Sequence, residues 1–96
     1  MAVVIRAFAS KATEKIFHRQ PAQKFPSNLR RVAQQKLLLL DAAEQLDDLL
    51  VSPGNRLEKL AGDRKGQHNI RINDQWCICF RWSEGDAYDV EIVDYH

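Results

Sequence analysis

The hydrophobic period of this chain changes once, and that change limits what the chain can fold into. From residue 28 to about residue 50, apolar side chains recur every three or four positions, which is the spacing of an amphipathic helix. From residue 67 onward they alternate with polar side chains, as in half-buried strands. The two patterns together predict an α+β domain whose helices cover one face of a small antiparallel sheet. The helical stripe consists of Leu29, Val32, Ala33, Leu37, Leu40, Ala43, Leu46 and Leu50.

The remaining elements follow from local signals. Residues 3–8 have the β-branched, apolar character of a strand, and Ser10 is a suitable N-cap for a short helix over residues 11–18. Residues 19–26, with two prolines, form a connector, and Ser52-Pro53-Gly54 ends the long helix. Turns at residues 74–75 and 84–86 separate three strands. The predicted order is β-α-α-β-β-β in one domain, residues 1–96.

Period-two alternation assigns the strand side chains to two faces. Ile70, Ile78 and Phe80 mark the apolar face, on which His68 is expected as a partly buried structural histidine. The opposite face is polar, and such a face is commonly only solvated. Its basic side chains could equally bind a phosphate backbone, and the pattern leaves both interpretations open. The apolar face also takes Ile72, Trp76, Trp82, Tyr88, Val90 and Ile92; the polar face takes Asn69, Arg71, Asn73, Cys77, Cys79, Arg81, Asp89 and Glu91.

Charge is balanced overall but uneven along the chain. The 96 residues carry 14 Lys and Arg against 13 Asp and Glu, a net charge of +1, which argues against a strongly basic nucleic-acid binder. Residues 1–36 nevertheless hold eight bases and one acid, and residues 37–50 hold four acids and no base. Arg30 and Arg31 are expected in the first turn of the long helix and Asp47 and Asp48 in its last, opposite to the preference of the helix dipole. A solvated face and a basic patch for an acidic partner or RNA both remain possible.

The two cysteines, Cys77 and Cys79, lie two residues apart in one strand, where a disulfide between them would be strained. Neither is accompanied by a second Cys pair or a His at zinc-finger spacing, so no metal site is expected. No apolar run has the length of a membrane span, and no signal peptide is recognised at the N-terminus. A reduced, cytoplasmic setting without membrane contact is therefore expected.

Four stretches together resemble the HigB branch of the RelE/ParE toxin superfamily, over nearly the whole chain. They are Pro53-Gly54-Asn55-Arg56-Leu57-Glu58-Lys59-Leu60, Gly62-Asp63-Arg64-Lys65-Gly66-Gln67-His68, Ile70-Arg71-Ile72-Asn73-Asp74-Gln75-Trp76 and Val90-Glu91-Ile92-Val93-Asp94-Tyr95-His96. The resemblance implies a RelE-like fold and a type II toxin that enters the ribosomal A site and cleaves mRNA. It also implies neutralisation by a helix-turn-helix antitoxin of the HigA type, through which the toxin contacts operator DNA.

The resemblance further implies a site that uses no metal or other cofactor. Positioned acids and bases would activate the ribose 2′-OH and stabilise the charge of the phosphorane. The terminal Asp94, Tyr95 and His96 match the acid-base end of the family, and Arg64 and Arg71 are candidate phosphate contacts. Glu58 stands where some relatives have histidine. The residues expected to hold mRNA or ribosomal RNA by charge are Arg56, Lys59, Arg64, Lys65 and Arg81.

One position departs from the family pattern. After the tryptophan the family has an arginine assigned to transition-state stabilisation, whereas this chain has Cys77. A thiol supplies no cation, so we expect a weakened or inactive nuclease that retains the fold and antitoxin binding. Two alternatives follow: a non-enzymatic module that acts as co-repressor with its antitoxin, and a gyrase inhibitor of the ParE type. Terminal Asp-Tyr-His and the Gly-Asp-Arg loop favour the ribosome-dependent branch over the gyrase inhibitor.

Overall fold

A computed structural model describes residues 4–50 and 53–94 of the chain. In this region two helices, α1 (Lys11–Phe17) and α2 (Ser27–Ala42), precede a four-stranded antiparallel sheet. The strands are β1 (Glu58–Lys59), β2 (Gln67–Arg71), β3 (Trp76–Ser83) and β4 (Asp86–Asp94), and they lie in the order β1-β2-β3-β4. The predicted α+β architecture is confirmed. The two-residue β1 was not predicted, because two residues carry no periodicity.

The N-terminal segment lies beside β4 rather than at an open edge. Ile5 and Phe8 form parallel bridges with Ala87 and Val90 of β4. The carboxylate of Asp41 in α2 accepts hydrogen bonds from the Val4 and Ile5 amides at 3.1 and 2.9 Å. The strand predicted at residues 3–8 is thus present as two parallel bridges, with residue 3 outside the described residues.

The first helix begins and ends where its sequence predicts. Ser10 has extended backbone and its hydroxyl accepts a hydrogen bond from the Thr13 amide at 3.3 Å, as an N-cap does. His18 is the C-cap. The buried Thr13 hydroxyl accepts a hydrogen bond from the Ile92 amide at 3.0 Å, which ties α1 to β4. The connection satisfies a strand amide that would otherwise be buried without a partner.

The long helix is shorter than predicted. It ends at Ala42, and residues Leu46–Leu50 form a separate 3₁₀ helix. The Asp48 carboxylate accepts hydrogen bonds from the amides of Glu44 and Gln45 at 2.9 and 3.0 Å, which stabilises the break. Apolar spacing could not reveal the break, because these leucines also suit the spacing of an α-helix. The prediction that Leu50 lies on the buried stripe is wrong: in the 3₁₀ segment Leu49 is buried and Leu50 is exposed. The acids predicted for the last turn of α2, Asp47 and Asp48, therefore lie outside it, and the acid that does lie in this turn is Asp41.

The core lies between the helices and one face of the sheet. Ile78 and Phe80 of β3 are fully buried, Trp76 packs edge-on against Phe25 with ring centroids 5.4 Å apart, and His68 lies against Phe80 at 5.9 Å. The predicted apolar face of β2 and β3 is confirmed. The core residues contributed by the helices and the preceding connector include Ile16, Phe25, Leu29, Ala33, Leu37 and Leu40.

A β-bulge moves one side chain away from its predicted face. The β3–β4 register shifts between Cys79 and Arg81, and Asp89 of β4 adopts a left-handed backbone conformation with φ 54°. Beyond the shift, Tyr88 pairs with Arg81 and is exposed, whereas Val90 is buried. The prediction that Tyr88 shares the apolar face is wrong, because one extra residue reverses the alternation on that side of the bulge. No helix among the described residues is long and apolar enough to cross a membrane.

Candidate functional site

The sheet face turned away from the helices is organised by strand register. Directly paired residues of antiparallel strands point to the same face, so Glu58, Asn69, Cys79 and Glu91 form one row across all four strands. Beside it lies a second row of Arg71, Cys77 and Val93, and a third contains Gln67, Arg81 and Tyr88. This face, defined by these three rows, is the polar sheet face.

The centre of the polar sheet face is buried, contrary to the solvated face that alternation alone suggests. Cys77, Cys79 and Asn69 are only 3%, 2% and 6% exposed. The side chain of Arg64 crosses above them, donating to Gln67 Oε1 at 3.0 Å and to Glu91 Oε1 at 3.3 Å. A side chain from the loop before β2 thus turns part of an open face into an interior, which no strand periodicity predicts.

A cavity of about 290 Å³ opens at one side of the polar sheet face. It is lined by Arg56, Glu58, Arg71 and Asp74, of which the sequence predicted the first three as site residues. Arg71 donates through Nε to the Asn73 carbonyl at 3.1 Å and forms an ion pair with Asp74. The guanidinium is therefore held in one orientation at the cavity. Asp74 was missed, although its position three residues after Arg71, in a turn, was a usable signal.

The backbone at Arg56 contributes to the shape of this cavity. Arg56 has φ 44°, in the left-handed region that non-glycine residues seldom adopt. The preceding Asn55 is buried and holds the segment in place: its Nδ2 donates to the Leu49 carbonyl at 3.1 Å, and its Oδ1 accepts a hydrogen bond from Lys36. The unusual backbone conformation at Arg56 thus follows a well-anchored residue, and the arginine lies at the cavity.

The other basic residues predicted to contact RNA occupy different places. Arg81 lies on the polar sheet face and donates to Asp89 at 3.1 Å, with its guanidinium packed over Gly66. A Cβ at position 66 would lie 2.9 Å from Nη1 of that guanidinium, which could move aside, so it is the backbone of Gly66, with φ 90°, that favours glycine there. Lys65 is exposed beside it. Lys59 pairs with His68 in the register and so belongs to the opposite, core-side face.

The predicted acid-base end is only partly described. Tyr95 and His96 lie outside the described residues. Asp94 pairs with Trp76 and accepts a hydrogen bond from Gln75 Nε2 at 3.0 Å. Strand alternation places Asp94 on the face opposite to Cys77 and Arg71. The structure therefore brings Arg56, Glu58 and Arg71 together and leaves Asp94 apart from them.

The thiols of Cys77 and Cys79 lie in the buried centre of the polar sheet face. The Sγ atoms of Cys77 and Cys79 are 3.9 Å apart, and Asn69 Nδ2 donates to Cys77 Sγ at 3.8 Å. The pKa of the Cys79 thiol is lowered, mainly by the hydrogen bond with Cys77, against the opposing effect of burial; Arg64 lowers it further and Glu91 raises it. Neither cysteine forms a disulfide. Within the described residues, no three His, Cys, Asp or Glu side chains are grouped to hold a metal ion.

A second cavity, of about 400 Å³, lies on the helix side of the molecule. Its lining, which we call the helix groove, comes from the end of α1, the segment that follows it and the first half of α2. None of its three arginines has an ion-pair partner among the described residues. The sequence had suggested a basic patch at Arg30 and Arg31 as one of two interpretations, without Arg19 and without the cavity. The groove is lined by Ile16, Arg19, Gln20, Pro21, Arg30, Arg31 and Gln34.

Comparisons with known proteins identify the family of this chain. The profile of the RelE-like toxin of type II toxin-antitoxin system HigB matches residues 6–96. The toxin HigB-1 of Vibrio cholerae serotype O1 is 44% identical over 62 residues, covering 65% of each chain. An uncharacterized protein of Haemophilus influenzae is 36% identical over 64 residues, covering 67% of this chain and 63% of that protein. The chain thus spans just under two thirds of the length of these two relatives.

A more distant relative and a solved structure extend the match over the full length. The endoribonuclease HigB of Proteus vulgaris is 29% identical over 97 residues, covering 97% of this chain and 100% of that protein. The YoeB-YefM complex from Staphylococcus aureus contains a chain that superposes with a TM-score of 0.60 at 17% identity, covering 100% of this chain and 99% of that one. The structural likeness concerns the fold alone, whereas the profile match spans nearly every residue. This chain belongs to the HigB family of RelE-like toxins of type II toxin-antitoxin systems.

Proposed function

We propose that this chain cleaves mRNA on the ribosome as the toxin of a type II pair, with activity reduced by Cys77. The observation that carries the proposal is the cavity of about 290 Å³ in which Glu58 and Arg71 meet. A carboxylate and an oriented guanidinium beside one cavity provide the two functions that metal-free RNA cleavage requires. One group accepts a proton and the other neutralises developing negative charge.

In the proposed reaction Glu58 removes the proton of a ribose 2′-OH, and the resulting oxygen attacks the adjacent phosphorus. Arg71, held by Asp74, lies beside the phosphorane and stabilises its charge. The 5′ oxygen leaves with a proton supplied by an acid, for which His96, with Tyr95, is the candidate from the resemblance. The products are a 2′,3′-cyclic phosphate and a 5′-hydroxyl end. Arg56, Arg64 and Arg81 extend the positive surface that would hold the RNA backbone, and the exposed Lys65 adds to it, whereas Lys59 lies on the opposite face.

Cys77 accounts for the proposed loss of rate. It is the cross-strand neighbour of Arg71, and an arginine at this position would add a second guanidinium at the same side of the cavity. Losing one preorganised charge donor costs about 100- to 1000-fold in rate at comparable sites. Arg71 alone would then support only slow cleavage.

The proposed partners are a HigA-type antitoxin, the ribosome with its mRNA, and operator DNA reached only through the antitoxin. The proposal places this activity in the cytoplasm, where ribosomes and mRNA meet. It calls for no cofactor in the cleavage step.

The test compares the natural chain with Cys77→Arg after induction in cells, with mRNA 5′ ends mapped across the transcriptome. Cys77→Met is the matched control, because it adds bulk without charge. We expect strong cleavage with Cys77→Arg and weak or no cleavage with the other two. Equal cleavage by Cys77→Met would contradict the role of charge. Absence of cleavage by all three, with altered plasmid supercoiling, would favour the gyrase-inhibitor alternative.

The missing cation also favours a second candidate, a co-repressor without nuclease activity. The distinguishing measurement is a DNA mobility shift in the presence of a HigA-type helix-turn-helix antitoxin. If the natural chain tightens operator binding while Cys77→Arg is also silent in the 5′-end mapping, the co-repressor is the better description.

A further inference from the structure

We propose that two copies of this chain associate through the exposed face of α2, with the two helices antiparallel across a two-fold axis. The proposal does not depend on the proposed cleavage, because α2 covers the side of the sheet opposite to the cavity with Glu58 and Arg71. Three features of the surface carry it: an apolar patch along the helix, bases near its start and acids just beyond its end.

The exposed face of α2 carries an apolar patch. Val32, Leu38 and Leu39 are 37%, 43% and 48% exposed, while the buried face of the same helix supplies Leu29, Ala33, Leu37 and Leu40 to the core. Val32 and Leu39 lie two helical turns apart on one line, and Leu38 lies beside Leu39, so the three side chains share one face. Exposed apolar side chains gathered on one face are typical of a surface that another molecule covers.

The start of α2 carries bases that the described part of the chain does not neutralise. Arg19, Arg30 and Arg31 line the helix groove, and none of them forms an ion pair with a described residue. Arg31, Gln34 and Leu38 follow one another at three- and four-residue spacing, so the groove continues directly into the apolar patch. Cations near the start of a helix oppose its dipole, so Arg30 and Arg31 are not placed to stabilise α2 itself.

The opposite end of α2 is followed by acids. Glu44 and Asp47 are exposed just beyond the last helical residue, and neither forms an ion pair with a described residue. The neighbouring Asp48 has a local role, because its carboxylate accepts the amides of Glu44 and Gln45. Acids near the C-terminal end of a helix also oppose its dipole. Both ends of α2 therefore carry the charge that the isolated helix disfavours.

A second copy of the chain neutralises both ends at once. When two α2 helices lie antiparallel, the basic start of each is beside the acidic end of the other, and the apolar patches meet between them. A two-fold axis forms every such contact twice. An RNA backbone would match only the bases, because Glu44 and Asp47 would repel phosphates and an apolar patch offers them no contact.

The size of this face predicts a weak dimer. The 16 residues of α2 form a helix about 24 Å long, so the contact belongs to the class of transient interfaces that bury less than about 1,200 Å² in total. The chain should be monomeric in dilute solution and dimeric at high concentration. Added salt should favour the monomer, because it screens the exposed charges at both ends. The cavity with Glu58 and Arg71 stays open in either state.

The experiment is sedimentation velocity of the purified full chain over a wide range of concentration, with two charge-reversed variants. The start variant, Arg30→Glu with Arg31→Glu, has acids at both ends of α2, and the end variant, Glu44→Arg with Asp47→Arg, has bases at both. Each alone should associate at least about 10-fold more weakly than the natural chain, because like charges meet. An equimolar mixture of the two should form a mixed dimer. Both reversals suit the helix dipole, so the variants should fold.

The matched control is Lys11→Glu with Lys59→Glu. It makes the same change in net charge as the start variant, at exposed positions on α1 and β1. It should associate as strongly as the natural chain, because neither lysine belongs to the exposed face of α2.

Several results would overturn the proposal. One is a natural chain that stays monomeric at every concentration, a measurement that requires no variant to fold. Another is association that neither charge reversal weakens, or a mixture of the two variants that forms no mixed dimer. A monomeric natural chain whose binding to a HigA-type antitoxin is lost in the start variant would assign this face to the antitoxin instead. Circular dichroism of each variant establishes that its fold is intact.

Discussion

The polar sheet face and the helix groove both carry arginines, but they hold them differently. On the sheet side, Arg64, Arg71 and Arg81 each pair with a carboxylate, whereas Arg19, Arg30 and Arg31 of the helix groove have no ion pair among the described residues. Paired arginines are oriented and their charge is locally cancelled. Arginines without an ion-pair partner contribute a net positive electrostatic potential, but their guanidinium groups are not held in one orientation. The sheet side is therefore arranged to position an anion, and the helix side to attract one.

The largest expected effect tests whether cleavage depends on one oriented guanidinium or on the overall positive potential of the surface. In the Cys77→Arg protein, we expect Arg71→Ala to reduce cleavage about 100- to 1000-fold, because an oriented charge donor at the phosphate is lost. Arg31→Ala in the same background removes the same charge from the helix groove and should change the rate only a few-fold. Single-turnover cleavage on programmed ribosomes measures both. A loss with Arg31→Ala as large as that with Arg71→Ala would break the comparison.

The next effect concerns the hydrogen bond that joins α1, on the helix side, to β4 of the sheet. Thr13→Val removes the buried hydroxyl that accepts a hydrogen bond from the Ile92 amide, and leaves that amide without a hydrogen-bond partner. The free energy of unfolding should fall by about 1–3 kcal/mol. Thr13→Ser keeps the hydroxyl and is the control for the lost hydrogen bond. Denaturant unfolding that ranks the two substitutions in the opposite order would show that the methyl group, and not the hydrogen bond, matters there.

A smaller effect separates the two groups of arginines by stability alone. Arg30 lies near the start of α2, where a cation opposes the helix dipole, so Arg30→Glu should raise the free energy of unfolding by about 0.3–1 kcal/mol. In the natural chain Arg81 forms an ion pair with Asp89, so Arg81→Glu places two acids side by side. This substitution should lower the free energy of unfolding by up to about 1 kcal/mol. Thermal unfolding at low ionic strength checks both signs. A destabilising Arg30→Glu would reveal a partner for that arginine.

The smallest expected effect is a dependence of stability on pH that arises from His68. Burial, and then the charge of Lys59, lower the pKa of His68 below its usual 6.5. The folded state thus binds fewer protons than the unfolded state just below pH 6.5, so stability should fall as the pH drops through that range. Above it the contribution is constant. Melting temperatures at pH 7.5 and pH 5.5 should differ less in His68→Gln than in the natural chain; an equal difference would assign the dependence to other groups.

The sequence predicted those parts of the fold that depend on regular burial. Leu29, Ala33, Leu37 and Leu40 are buried as the helical period predicts, although Val32 of the same stripe is exposed. The alternation through Ile78 and Phe80 likewise indicates the inward face of the sheet. The Ser10 cap and the turn at Asn73, whose Oδ1 accepts the Gln75 and Trp76 amides, follow from local chemistry. Such signals lie within a few residues of what they specify.

What the sequence did not predict depends on single side chains acting over longer distances. The end of α2 depends on the Asp48 carboxylate, which accepts backbone hydrogen bonds there. The exposure of Tyr88 depends on the bulge in β4. The burial of the two cysteines depends on Arg64, whose side chain reaches Glu91. Arg56, Glu58 and Arg71 entered the candidate site through family resemblance, and the fold brings them to one cavity. The catalytic roles remain predictions, and those of Tyr95 and His96 concern residues outside the described region.

The parallel bridges of Ile5 and Phe8 with β4 have a consequence for synthesis of the protein. The segment that contains Ile5 and Phe8 is bound to a strand that leaves the ribosome more than eighty positions later, so these contacts cannot form until that strand has been made. Contacts so distant in sequence form slowly, because the intervening chain must first be ordered. The protein therefore completes its fold only after β4 has emerged, and a ribosome still making it carries an unfinished toxin.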